Sequence, residues 1–153
     1  MRFLELKLPP LAVLALCMLA VFAAARWLPA GNLRFAASGA LGLAAIAIGI
    51  GVALAGIVAF RRARTTVDPL SPGRATVLVE RGVYRWTRNP MYLGMALVLL
   101  GVALDRASIP GLLLVGVFCA YVTRFQIVPE ERALLGIFGE PYEAYLRRVR
   151  RWI

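Results

Sequence analysis

The sequence predicts an all-α integral membrane protein with about four transmembrane helices, a long cytoplasmic loop and a C-terminal amphipathic helix. Three observations carry this prediction. Apolar residues make up 61% of the chain, against the roughly 45–50% usual in soluble globular proteins. Charged residues reach only 17%, too few to cover the surface of a water-soluble core. The net charge is +10, and its basic residues lie between and after apolar runs, where anionic lipid rather than nucleic acid is the fitting partner. The length of 153 residues allows one domain, taken as residues 1–153. The absence of histidine excludes imidazole metal sites, Ser-His triads and an imidazole base. Cys17 and Cys119 sit inside apolar runs and form no zinc or disulfide spacing.

The elements follow in order. Residues 11–28 carry one charge, Arg26, near their end. With Arg2, Lys7 and Ala23-Ala24-Ala25 around it, this run is similar to a signal peptide, but it is read as a retained span. Residues 38–60 carry no charge, and their glycines (Gly39, Gly42, Gly49, Gly51 and Gly56) suit close helix packing. Residues 91–104 form a shorter run, expected to pack on the fourth span across the tight connection Asp105-Arg106-Ala107-Ser108. Residues 109–128 are interrupted only by Arg124 and Gln126 near their end. About 20 residues cross a bilayer and about 17 still suffice, so the first, second and fourth runs qualify and the third is marginal.

Charge orients these spans. Fifteen basic residues fall on the side holding both termini and the middle loop; three (Arg26, Arg34 and Arg106) fall opposite. The positive-inside rule therefore places both termini and the loop in the cytoplasm. Arginine outnumbers lysine 17 to one, which fits a GC-rich bacterium and hence its inner membrane. The middle loop, residues 61–89, is broken by Pro69, Pro72 and Gly73, and residues 75–79 are apolar enough to dip into the interface. Loops of this length in a compact chain are usually functional. In residues 129–153, Pro129-Glu130-Glu131-Arg132 can start a helix that Gly139 ends, and Pro141 suits the first turn of another. Tyr142, Tyr145, Val149 and Trp152 then recur at helical spacing with arginines in the gaps, the pattern of an interfacial amphipathic helix with aromatic anchors.

Two segments of this chain are distinctive. The first is Leu78-Val79-Glu80-Arg81-Gly82-Val83-Tyr84, followed by Arg88-Asn89-Pro90-Met91-Tyr92-Leu93-Gly94 at the start of an apolar run. The second is Glu130-Glu131-Arg132-Ala133-Leu134-Leu135, with Phe138-Gly139, Tyr142, Tyr145 and Arg148-Val149 after it. Together they resemble the isoprenylcysteine carboxyl methyltransferase family, a bacterial-type membrane methyltransferase group related to phospholipid methyltransferases. The resemblance implies methyl transfer from S-adenosylmethionine to a lipophilic or lipidated acceptor at the cytoplasmic membrane face. By position it implies cofactor contacts from Thr76, Val77, Leu78, Val79 and Tyr84 in the loop. It implies further cofactor contacts from Asn89, Pro90, Met91 and Tyr92 at the helix start, and from Glu130. The family's acceptor-contacting arginine is Gln126 here, with Arg124 nearby, and Asn89 stands where histidine is usual.

The residues support the same chemistry independently. A sulfonium donor needs carboxylate or π-face partners and exclusion of water. Glu130, Glu131, Tyr84, Trp86 and Tyr92 supply that inventory on the cytoplasmic side. A carboxylate acceptor needs no base and can be gripped by arginine, with Arg88 and Arg124 as candidates for a two-arginine clamp. An amine acceptor, as in phospholipid N-methylation, needs proton removal, for which Glu131 or a tyrosine is available. Arg88, Arg124 and Glu131 are therefore the expected catalytic group, with no metal. A nicotinamide-dependent membrane reductase would need more spans. A proton-coupled transporter would carry an acid within a span, whereas all eight acids here lie at span ends or in loops; a non-enzymatic scaffold is the remaining alternative.

Overall fold

The computed structural model describes residues 5–28, 36–63 and 76–153. Among these residues the regular structure is entirely helical. In chain order the helices are α1 (Pro10–Trp27), α2 (Ser38–Arg62), α3 (Pro90–Asp105), α4 (Ile109–Val122), α5 (Val128–Phe138) and α6 (Glu140–Arg148). Three helices are long and apolar enough to cross a membrane: α1, α2 and the 30-residue stretch Ile109–Phe138; α3, at 16 residues, is a shorter apolar helix. The chain is thus an all-α membrane protein. Pro69, Pro72 and Gly73, expected to break the middle loop, lie outside the described residues, as does the Ala75 end of the expected interfacial dip.

The first three runs begin and end within two residues of their expected limits, but the fourth does not. It was expected to stop at Val128, with Pro129 starting a separate helix. Instead α4 runs through one π-turn, Thr123–Ile127, directly into α5. An internal proline lacks an N–H and crowds the carbonyl four residues back. The wider turn accommodates it: the Val128 N–H reaches the Thr123 carbonyl, five residues back. The Phe125 carbonyl, which Pro129 cannot engage, accepts the Leu6 N–H at 3.0 Å. Buried Gln126 reinforces this contact, its Nε2 donating to the Leu8 carbonyl at 2.7 Å. One proline thus both bends the hydrogen-bond ladder and creates the docking point for residues 5–8.

The main partner of α3 is α2, not α4 as expected. Gly42 and Gly49 on α2 face Gly101 and Gly94 on α3. A methyl group at Gly94 would lie 2.5 Å from the Gly49 carbonyl oxygen, and one at Gly101 would lie 2.5 Å from that of Gly42. Backbones that close require residues without side chains on both helices. Side chains around α4 keep it farther away, with Leu99, Phe118, Val122 and Ile127 fully buried between the helices and Val21 joining them from α1. The connection to α4 is as tight as expected. Ser108 caps α4 by accepting the Gly111 N–H, and Ala107 takes φ 52°.

The last helix is amphipathic, as expected, but its aromatic face does not point to lipid. Tyr142, Tyr145 and Val149 are buried against Leu78, Leu134 and Phe138. The helix ends at Arg148, so Trp152 belongs to an irregular segment and donates its Nε1–H to Thr123 Oγ1 at 3.2 Å. The spacing was helical because both sides of α6 are used; the apolar side covers the loop that precedes α3.

Candidate functional site

The start of α3 is built around one proline. Asn89 is non-helical, at φ −130° and ψ 56°, and Pro90 opens the helix with its fixed φ and dispensable N–H. Pro90 is buried against Gly56 of α2, where an added methyl group would lie 3.1 Å from the proline ring. This anchors the first turn of α3 and directs Tyr92 inward, where it is buried and donates its hydroxyl hydrogen to Glu130 Oε1 of α5. The next acid, Glu131, points to a different set of partners. Its Oε1 receives Arg88 Nη1 at 3.0 Å and Arg151 Nε at 3.1 Å, and its Oε2 receives Arg151 Nη2 at 2.7 Å.

Residues 77–85 form the facing wall. A short 3₁₀ turn, Gly82–Arg85, starts with Gly82 at φ 65°, a backbone conformation that glycine adopts without strain. It buries Tyr84, whose ring meets Phe60 edge-on at 5.3 Å between centroids. The Tyr145 hydroxyl donates to the Tyr84 carbonyl at 2.9 Å and ties this wall to α6. Burial raises the phenol pKa of Tyr84, Tyr142 and Tyr145 above the usual tyrosine range, so all three stay neutral hydrogen-bonding groups. The hydrogen bonds from Arg151 to Glu131 raise the arginine's pKa further and keep it charged.

These elements enclose a cavity of about 580 Å³, within the roughly 300–1,000 Å³ range of small-molecule sites. Arg88, Asn89, Tyr92, Glu130, Glu131, Tyr142 and Tyr145 supply its polar groups. Leu11 and Leu14 of α1, Ile50, Leu54 and Ile57 of α2, Met95 and Val98 of α3, and Ile127 supply its aliphatic lining. Two of the polar groups here have unmet bonding capacity. Arg88 Nε is buried and has no hydrogen-bond partner among the described residues. Glu130 accepts from Tyr92, but among the described residues no cation pairs with it.

Of the residues expected at the site, the structure brings Val77, Leu78, Val79, Tyr84, Arg88, Asn89, Met91, Tyr92, Glu130 and Glu131 to this one cavity. Thr76 is exposed and is not among the lining residues, and Pro90 sits behind the lining as a helix anchor. Arg124 is placed elsewhere: it is half exposed and pairs with Glu5 at 2.8 Å, beside Arg132 on the same carboxylate. Its guanidinium lies over the Phe125 ring. The two arginines of the expected clamp are therefore not assembled around the cavity. Trp86 is exposed and also lies outside it. Asn89 lines the cavity, yet its side-chain amide donates to the Arg151 carbonyl at 2.9 Å. Sequence reasoning missed Arg151, Tyr145 as a tie to Tyr84, and the α1 and α2 aliphatics. Only Tyr145 left a signal, its place in the repeated aromatic spacing of α6.

An amphiphilic cavity with an acid and an arginine at its polar part, set among membrane-spanning helices, defines a membrane protein built to handle a charged group next to a lipophilic one. The phospholipid methyltransferase family matches residues 37–141, more than half of the chain, and the chain belongs to that family. The match makes it a membrane methyltransferase at the level of the family, one related to the isoprenylcysteine carboxyl methyltransferases. An uncharacterized protein of Haemophilus influenzae (strain ATCC 51907 / DSM 11121 / KW20 / Rd) is 38% identical over 63 residues, which span 41% of this chain and the whole of that relative. No solved structure matches.

Proposed function

We propose that this protein transfers a methyl group from S-adenosylmethionine to a lipophilic acceptor at the cytoplasmic face of a bacterial inner membrane, with both termini on that face. The observation that carries this reading is the cavity in which Glu130, with no cationic partner among the described residues, and Arg88, whose Nε has no hydrogen-bond partner among them, adjoin aliphatic side chains of three apolar helices. The residues fit the donor. Its sulfonium and ammonium charges suit a carboxylate in apolar surroundings, and its adenosine suits the aromatic and backbone wall of residues 77–84. When bound, the donor supplies an electrophilic methyl group for in-line displacement. The chain's share is to bind, orient and exclude water. Glu130, held by Tyr92, meets positive charge; Tyr84 and Tyr142 shield the site; and Arg88 holds the anionic group of the acceptor while its tail lies along Leu14, Leu54 and Ile57. Alignment of the two reactants is the main source of acceleration in such a transfer.

A prenylcysteine-like carboxylate acceptor requires no base and would sit on Arg88. The family match favours a second reading, a phospholipid amine, with its phosphate on Arg88. In that case Glu131, already shared by two arginines, is poorly suited to take the proton, and Glu130 is the carboxylate left to do so.

Calorimetry in detergent with S-adenosylhomocysteine, the demethylated product, tests the donor site. Glu130→Gln removes a charge-assisted interaction worth roughly 1.5–3 kcal/mol, so affinity is expected to fall about ten- to over a hundredfold. Unchanged affinity in the folded variant removes Glu130 from the donor site. Radiolabelled methyl transfer to vesicles of phosphatidylethanolamine, compared with vesicles carrying a farnesylcysteine analogue, then distinguishes amine from carboxylate.

A further inference from the structure

We infer that Arg151 is a positioning residue: by taking both oxygens of Glu131 it keeps that carboxylate from closing on Arg88, and so leaves Arg88 open to an anionic ligand head group. The inference rests on the reading of Arg88 as the acceptor's anion contact. A carboxylate facing a single arginine favours the paired, two-bond geometry that neutralises the guanidinium edge. Here that geometry belongs to Arg151, through Nε at 3.1 Å and Nη2 at 2.7 Å. Arg88 makes only an ion-pair contact, Nη1 to Oε1 at 3.0 Å; its side chain lines the cavity, and its buried Nε has no hydrogen-bond partner among the described residues. The side chains of Arg88 and Glu131 are 13% and 15% exposed, so their pairing is set by neighbours more than by solvent.

The segment carrying Arg151 is fixed from both sides. The Arg88 N–H donates to the Arg150 carbonyl at 3.0 Å, and the Asn89 amide donates to the Arg151 carbonyl at 2.9 Å. On the other side Trp152 is bonded to Thr123 of the π-turn. The Arg88-Asn89-Pro90 motif and residues 150–152 therefore form one unit. Asn89, expected at the cofactor, has the additional task of holding Arg151 in register.

The test uses the full chain in maltoside detergent and a defined anionic amphiphile, dodecyl phosphate, with dodecanoate as the carboxylate counterpart. Arg151→Ala is expected to weaken calorimetric binding of one or both amphiphiles by about tenfold, while S-adenosylhomocysteine affinity stays within about twofold of the parent. Arg151→Lys, close in reach and equal in charge but without the planar fork, reads a loss in the same direction with less disturbance of the packing. The decisive variant is Arg151→Ala combined with Glu131→Gln. Removing the carboxylate frees Arg88 again, and binding is expected to recover to within about threefold of the parent. A purely structural role for Arg151 gives no such rescue. Unchanged binding in both single variants, or a double variant weaker than Arg151→Ala, overturns the inference. These titrations do not depend on turnover. A parent chain that binds the amphiphiles but methylates neither vesicle therefore counts against the proposed function and leaves the Arg151 inference standing.

Discussion

Helix α2 has two working sides, and they are built on opposite principles. Toward α3 it presents Gly42 and Gly49, and the two backbones come so close that a single added methyl group would strike a carbonyl oxygen. Toward the cavity it presents Ile50, Leu54 and Ile57, and α1, which lines the same cavity through Leu11 and Leu14, is not packed along it. The first side is a fixed seam that sets where Pro90, and therefore Tyr92, begins. The second is a volume bounded by flexible aliphatic chains, able to adjust to a tail without moving the backbone. The site needs both: a rigid edge to hold a charged group in place and a compliant one to accept an apolar body. Residues 77–84 form a third kind of boundary, held not by glycine contact but by Phe60 of α2 and by α6.

The largest expected effect breaks the seam. Gly101→Ala places its Cβ 2.5 Å from the Gly42 carbonyl oxygen and 2.6 Å from an Ile46 side-chain carbon. The backbone of α2 cannot yield locally, so the helices must separate. A loss of at least about 3 kcal/mol is expected, at the upper end for overpacking. Denaturant titration in mixed micelles reads it. A loss under about 1 kcal/mol would mean that the seam slides, and that Pro90 is positioned by something else.

Much of this contrast was legible in the sequence, and the missing parts share a cause. Glycines seven residues apart on a charge-free helix announce close packing, and R-N-P-x-Y announces a helix start with polar groups beside it. The local signals therefore gave α1 to α3, and ten of the expected site residues meet at one cavity. What failed was non-local. Pro129 reads as a helix start because nothing in the sequence reveals that a π-turn will absorb it. Arg124 looks like a site residue because its distance along the chain from Glu5 hides their ion pair. Arg151 reads as one more basic residue at a membrane surface until its segment is seen lying against Arg88 and Asn89. Aromatic periodicity in α6 correctly gave a helix with an apolar face, but periodicity does not say whether that face meets lipid or protein.

A smaller effect sharpens the third boundary. Tyr145→Phe keeps the ring that packs on Tyr142 and removes only the hydroxyl that donates to the Tyr84 carbonyl. The expected loss of stability is about 1 kcal/mol, the usual worth of a neutral hydrogen bond with its acceptor left unfilled. Because Tyr84 is buried against Phe60 at the cavity wall, limited proteolysis within residues 77–86 should accelerate in the variant. Unchanged proteolysis would show that Phe60 alone holds the wall.

The smallest effect is of opposite sign and falls on α2, the helix that Gly101 of α3 meets. Gly51 lies two residues beyond Gly49, but nothing falls within 4 Å of a Cβ built there. With no steric opposition, the only consequence of Gly51→Ala is the lower backbone entropy of the unfolded chain and the better helix propensity of alanine. That predicts a gain of about 0.5–1 kcal/mol, measured in the same micelle titration as Gly101→Ala. The paired result decides between two explanations of the glycine content of α2 and α3. If glycine is there for flexibility, both substitutions should change the protein in the same direction. If it is there for contact, the sign must reverse between the α2–α3 seam and the face of α2 that lies outside it. A destabilising Gly51→Ala would mean that this open face is covered by another molecule in the membrane, and the comparison between a fixed side and a compliant side would have to include that partner.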